Sequence, residues 1–205
     1  MIRFVPNILT MLRLVLSLVF LGMVLYMPKL QASPERSCFI DWAFVLFVVA
    51  GLTDIVDGKI ARKYNASSKF GRILDPLVDK VLVCGAFVCF AIIGQPKLFD
   101  ISGWALTAIH WGVAGVIIAR EVTITILRQI AESRGINFAA MPAGKLKMFV
   151  QSFTIGTILV KMSHVPDAAW GNWITILALI ASAAITIFSA LPAATHFVKS
   201  SKSQI

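Results

Sequence analysis

An all-α integral membrane protein, a bundle of six transmembrane helices, is the architecture this sequence predicts, on three observations. Of its 205 residues, 58% are hydrophobic and only 14% charged, with a mean hydropathy of +0.84; a soluble domain carries about a quarter charged residues. The apolar residues fall into six runs bounded by polar or Pro/Gly clusters, each close to or above the roughly 20 residues that cross a bilayer. Basic residues gather in alternate connections, as the positive-inside rule requires of a multi-pass chain.

The first run covers Pro6 to Met27. Ahead of it, Met1 to Val5, with Arg3 among Ile2, Phe4 and Val5, reads as a short interfacial segment. A cleaved signal is not expected, because Ile8 to Tyr26 is long enough to span and no small-residue cleavage pattern follows. The second run, Ile40 to Arg62, and the third, Arg72 to Gly94, form a hairpin closed by Lys63 to Phe70. The fourth runs from Ser102 to Ala131. The fifth, Lys145 to Met162, is short and carries Gln151 and Ser152, so an amphipathic start at the membrane surface is an alternative there. The sixth, Asn172 to Phe197, leaves a polar tail over 198–205. Short connections place consecutive helices antiparallel in a single domain, 1–205.

Charge sets the orientation. The connections after the second and fourth runs, with adjoining helix ends, hold Lys59, Arg62, Lys63, Lys69, Arg72, Lys80, Arg128, Arg134, Lys145 and Lys147. On the other side Lys29, Arg36, Lys97 and Lys161 are cancelled by Glu35, Asp41, Asp100 and Asp167. Both termini are therefore expected in the cytoplasm, with the protein in the cell (inner) membrane. The net charge of +9 is then a topology signal, with attraction for anionic lipid or phosphate second; nucleic acid is not an expected partner. Trp104, Trp111, Trp170 and Trp173 fall near the predicted outer ends, as an aromatic belt does. The three cysteines have no metal spacing and read as thiols, and His110, His164 and His196 read as structural or interfacial.

Against this apolar background stand Asp54, Asp57, Asp75 and Asp79. A carboxylate in hydrocarbon costs roughly 2.5–3.5 kcal/mol on insertion scales, so four together need a partner. Spacings of three and four place each pair on one helix face, and the hairpin brings both pairs to similar depth at the cytoplasmic boundary. Four hard oxygen donors suit Mg²⁺ or Mn²⁺, and two ions are expected. Gly58, Ala61 and Gly71 lie among the acids, where lack of bulk lets a helix or a flat ligand approach. Arg62 adds a planar cation for phosphate oxygens or for orienting a carboxylate. Arg120 lies inside the fourth run, where an uncompensated cation is costly. With neighbouring Glu121 expected to face elsewhere on the helix, Arg120 is expected to meet a phosphate or another carboxylate.

The run Asp54-x-x-Asp57-Gly58-x-x-Ala61-Arg62, eight residues, then Gly71-x-x-x-Asp75-x-x-x-Asp79, resembles the signature of the CDP-alcohol phosphotransferases, with every position filled. That resemblance implies a six-helix membrane enzyme, usually a homodimer, that displaces CMP from a CDP-linked donor with an alcohol and a divalent metal. The opening Pro6-Asn7-Ile8-Leu9-Thr10-x-x-Arg13, the pair Arg120-Glu121 with Arg128 and Arg134, and Gly144-Lys145-Leu146-Lys147 with Gln151 are similar to the branch that makes phosphatidylglycerol phosphate. The substrates so implied are CDP-diacylglycerol and glycerol 3-phosphate.

On that resemblance, Asp54, Asp57, Asp75 and Asp79 hold metal and Asp79 is the base that deprotonates the acceptor hydroxyl. CDP is met by Asp54, Gly58, Ala61, Arg62 and Gly71, with Asn7 and Thr10 contacting the nucleotide from the first helix; back-bonding within that helix is the alternative for Thr10. Arg120, Arg128, Lys145 and Lys147 are expected to bind the acceptor phosphate. Other readings are the same chemistry with inositol phosphate, serine or phosphatidylglycerol as acceptor, and a divalent-cation carrier, which expects acids near the bilayer midplane.

Overall fold

Six α-helices carry almost all of the described chain: α1 (Val5–Tyr26), α2 (Pro34–Tyr64), α3 (Lys69–Ile93), α4 (Gly103–Ser133), α5 (Pro142–His164) and α6 (Ala169–Lys202). The structure, a computed structural model, describes residues 5–30, 34–64, 69–99, 101–133 and 142–202, with their side chains except at 5–7, 54–64, 69–76, 79, 132, 142–143, 145 and 191–202. No strand occurs among the described residues.

Each helix covers one predicted apolar run, but several extend beyond it. Helix α2 opens at Pro34 rather than Ile40, with proline at its first position and Glu35 in its first turn, two features that favour a helix start in water. Helix α5 opens at Pro142, and α6 continues to Lys202, so residues 198–202 are helical rather than tail. Hydropathy marks the part of a helix that suits lipid, whereas the hydrogen-bonded backbone stops only where a cap or a breaker intervenes. At α3 that stop is Gly94, whose φ of +62° lets Gln95 N–H reach the Phe90 carbonyl at 3.1 Å and its own N–H the Ala91 carbonyl at 3.4 Å, a glycine C-cap of Schellman type. Of the interfacial segment, residues 1–4 lie outside the described residues and Val5 already belongs to α1.

Among the described residues three stretches are long and apolar enough to cross a membrane: Ile8–Lys29, Pro34–Thr53 and Ala169–Ala190. The apolar part of α3, Lys80–Ile93, is shorter. Helix α4 is diluted by polar groups both exposed, as Thr107, Thr123, Arg128 and Gln129, and buried, as His110; those of α5 are turned inward. Lys147, Gln151, Thr154 and Lys161 of α5 are all buried; Gln151 Nε2 donates to Thr186 Oγ1 at 2.9 Å and Thr154 Oγ1 to the Ala178 carbonyl at 3.0 Å. Large apolar side chains face outward instead, among them Ile8, Leu18, Phe149, Leu177, Ile180 and Phe188. Polar inside and apolar outside is the arrangement expected of a chain whose solvent is lipid.

Contacts among the described residues close the helices into a ring in the order α1–α2–α5–α6–α4–α3, with a lesser α3–α5 contact across it. Side-chain bonds fix the relative directions. The start of α2 meets the end of α5, where Ser163 Oγ donates to Asp41 Oδ1 at 2.7 Å, Ser37 Oγ to the Ser163 carbonyl at 3.1 Å, and His164 Nε2 lies 3.0 Å from Asp41. His110 is buried and the cysteines are thiols.

The largest cluster of buried apolar residues draws on the second halves of α1, α3 and α5 and the first halves of α2, α4 and α6, with Phe20, Phe47, Phe87, Phe90, Ile117 and Ile158 at its centre. This is the end of the bundle that bears Trp42, Trp104, Trp111, Trp170 and Trp173, all exposed. The opposite end carries the aspartate-bearing segments.

Candidate functional site

Helix α2 runs unbroken through Asp54 and Asp57 to Tyr64, and α3 starts at Lys69 and carries Asp75 and Asp79. The backbone thus puts one pair in about the last three turns of α2 and the other in about the first three of α3, as the hairpin reading requires. The side chains of all four, and those at Gly58, Ala61, Arg62 and Gly71, lie outside the described residues, as do those of Asn7 and Lys145. Among the described residues no group of three His, Cys, Asp or Glu forms a metal array. The aspartate set offers carboxylate oxygen alone, without thiolate or imidazole, and a donor set of that chemistry fits a hard divalent cation such as Mg²⁺ or Mn²⁺.

From this end a cavity of about 950 Å³ runs between α2, α5 and the start of α6. Gly51 and Leu52 of α2 and Leu82 and Val83 of α3 line it, about one helical turn from Asp54 and Asp79 along their helices. Phe44, Phe47, Phe149, Phe153, Val160 and Ile174 are among the remaining lining residues, as is Gly156, where a Cβ would stand 3.2 Å from Phe44 Cε2. Arg13 of α1 is 1% exposed and borders the cavity; its carbonyl accepts from Ser17 Oγ at 2.7 Å. Thr10, one turn earlier on α1, is also buried. Lys161, whose Nζ donates to the Pro166 carbonyl at 2.9 Å, is the second cation on the lining, toward the start of α6; a largely apolar space bordered by cations suits an amphiphile that carries negative charge.

A second cluster joins α4 to α5. Arg120 Nη1 lies 3.0 Å from Glu121 Oε1, and Lys147 Nζ donates to the same oxygen. The sequence reading that Glu121 faces elsewhere is therefore corrected. Both α4 side chains are long enough to fold inward together, and Lys147, 5% exposed, brings a second positive charge to the carboxylate. Arg120 Nε is buried with no hydrogen-bond partner among the described residues, a donor available to a ligand oxygen. Thr125 Oγ1 donates to the Glu121 carbonyl at 2.6 Å and accepts from Lys80 Nζ. Arg128, also expected at the acceptor phosphate, is exposed and stands eight residues from Arg120, about 12 Å along the helix. Of the four expected acceptor residues the structure brings Arg120 and Lys147 together and sets Arg128 apart.

Sequence reasoning did not find Glu121 as the shared partner, nor Lys80 and Thr125 beside it. The available signal was an acid next to an arginine inside an apolar run, where the cost of an unpaired charge favours the pair over divergent helix positions.

The chain belongs to the CDP-alcohol phosphatidyltransferase family, whose model matches residues 3–193. Among its relatives, a CDP-diacylglycerol–glycerol-3-phosphate 3-phosphatidyltransferase of Bacillus subtilis (strain 168) is 32% identical over 86% of this chain and 90% of its own length. A protein of the same name from Shigella flexneri serotype 5b (strain 8401) is 31% identical over 91% of each chain. A probable phosphatidylglycerophosphate synthase of Mycobacterium tuberculosis (strain ATCC 25618 / H37Rv) is 34% identical over 77% of this chain; the match spans 66% of that protein's length.

Proposed function

We propose that this protein transfers the phosphatidyl group of CDP-diacylglycerol to the 1-hydroxyl of sn-glycerol 3-phosphate, releasing CMP and phosphatidylglycerol phosphate. The observation that carries the reading is the complete eight-position signature, set in the last turns of α2 and the first turns of α3, in a chain whose relatives bear the name of this activity.

The donor's acyl chains occupy the cavity between α2, α5 and α6, and its diphosphate lies at the aspartate-bearing end, with Arg13 and Arg62 as its cations. Gly58, Ala61 and Gly71 give the cytidine room, and Asn7 and Thr10 approach it from α1. Arg120 and Lys147 hold the acceptor phosphate, which leaves the acceptor's far hydroxyl for Asp79. Asp79 takes the hydroxyl proton as the oxygen bonds to the phosphorus that carries diacylglycerol. The bond from that phosphorus to the bridging oxygen breaks, and CMP leaves with the electron pair. Asp54, Asp57, Asp75 and Asp79 would hold a divalent cation, which when bound supplies charge neutralisation at the diphosphate.

The same reading takes all six helices as spans, with both termini and the aspartates in the cytoplasm. Five exposed tryptophans at the opposite end and the basic residues on the aspartate side support that orientation. Association of two copies as a homodimer follows from the family resemblance.

Purified protein given CDP-diacylglycerol, Mg²⁺ or Mn²⁺ and labelled glycerol 3-phosphate is expected to release CMP and to form labelled phosphatidylglycerol phosphate. Inositol phosphate, serine and phosphatidylglycerol should serve poorly. Release of CMP with one of these, and none with glycerol 3-phosphate, would replace the acceptor.

A further inference from the structure

Glu121 sits between two cations that reach it from different helices. Its Oε1 accepts from Arg120 of α4 and from Lys147 of α5, although α4 and α5 are not neighbours in the ring formed by the described residues. The carboxylate therefore bridges a separation that the backbone leaves open, on the interior side of the bundle, where its side chain is only 12% exposed. Left without it, two positive groups this close in a poorly solvated interior would repel and turn apart. With it they stand side by side on one carboxylate oxygen.

The same residue is tied to the helix of the aspartates. Its carbonyl accepts from Thr125 Oγ1, and that hydroxyl accepts from Lys80 Nζ. Lys80 follows Asp79 in α3. One continuous set of bonds thus runs from the turn of α3 that carries Asp79, through Thr125 and Glu121, to Arg120 and Lys147. Arg120 keeps a buried Nε without a partner among the described residues, so part of its guanidinium is left to a ligand.

We propose that Glu121 is the positioning residue of the acceptor site: it holds Arg120 and Lys147 together to receive a phosphomonoester dianion and fixes their distance from the Asp79 turn. The inference rests on the reading that the acceptor carries a phosphate. A carboxylate serving only to neutralise buried charge would support the fold and donor and acceptor alike. A positioning carboxylate affects the acceptor selectively, because misplacing a clamp by an ångström costs far more in binding its own ligand than in binding a distant one.

The test is steady-state kinetics of full-length Glu121→Gln and Glu121→Asp in detergent or nanodiscs, with thermal unfolding measured in parallel. Glu121→Gln is expected to raise the KM for glycerol 3-phosphate about tenfold or more while the KM for CDP-diacylglycerol stays within about twofold; Glu121→Asp should recover part of the loss. Direct titration of glycerol 3-phosphate into the same proteins should show the same weakening. An unchanged or lower acceptor KM, or an equal rise for both substrates, overturns the proposal. Should Glu121→Gln not fold, Glu121→Asp and Thr125→Val decide by the same split. Wild-type protein that forms no lipid from glycerol 3-phosphate overturns the underlying reading instead, an outcome recognisable without any variant.

Discussion

The proposed mechanism puts Asp79 alone among the aspartates both in the metal set and at the acceptor hydroxyl, and its replacement separates these roles from mere solubility of a helix end. Asp79→Asn keeps the size and polarity of the side chain and removes its capacity to take a proton. Turnover is expected to fall by about 10²–10⁴-fold, the usual contribution of a positioned base, as read by CMP release. Near wild-type turnover would take the base assignment away from it. Charged residues elsewhere in the bundle behave differently. Asp41 pairs with His164 where both are substantially exposed, and exposed pairs contribute about 0–1 kcal/mol, so that pair belongs to the closure of α2 on α5 and not to the chemistry.

At the scale of the element, α5 is the helix whose role the sequence concealed most. Its inner face carries Lys147, Gln151, Thr154 and Lys161, all buried, which is why it reads as short and nearly amphipathic. Its outer and cavity-lining face carries Phe149, Phe153, Gly156 and Val160. Gly156 lines the cavity against Phe44: a Cβ there would stand 3.2 Å from Phe44 Cε2, and a larger side chain would crowd it. Gly156→Leu is expected to raise the KM for long-chain CDP-diacylglycerol by about tenfold, since overpacking a filled site costs about 1–3 kcal/mol. The KM for the water-soluble acceptor should hold. An unaltered donor KM would show that acyl chains lie elsewhere. The bond from Gln151 to Thr186 ties α5 to α6, and Gln151→Leu should lower stability by about 0.6–1.7 kcal/mol, the range of interhelical hydrogen bonds in membranes, measured as a shift in thermal unfolding.

Across the whole molecule, the apolar core lies at one end and the aspartate-bearing segments of α2 and α3 at the other. The buried apolar cluster lies where the tryptophans are, and the cavity reaches from Trp170 at that end to Gly51 and Leu52, one turn before Asp54. Two measurements test the proposed arrangement at this scale. Chelation of divalent cations should abolish CMP release, and added Mg²⁺ or Mn²⁺ should restore it; activity that survives chelation would remove the cation from the aspartates. Cys38, exposed near the start of α2, should react with a membrane-impermeant thiol reagent on intact cells and be protected in inverted vesicles. The reverse pattern would turn the topology over.

The six helices could be read from the chain because apolar runs bounded by polar or Pro/Gly clusters mark where each lies, while alternate basic clusters supply the orientation proposed above. The aspartate signature was equally legible, since i+3 and i+4 spacing fixes a shared helix face without reference to any partner. Arg120 and Glu121 show where that reasoning stops. Adjacent helix positions diverge by local geometry, and only the approach of Lys147 from α5 makes their convergence favourable. The ring order of the helices, the cavity beside Arg13 and the Glu121 bridge likewise depend on which faces meet across the bundle. Local sequence sets the period and charge of each helix; interactions between residues far apart in the chain decide which neighbour it finds.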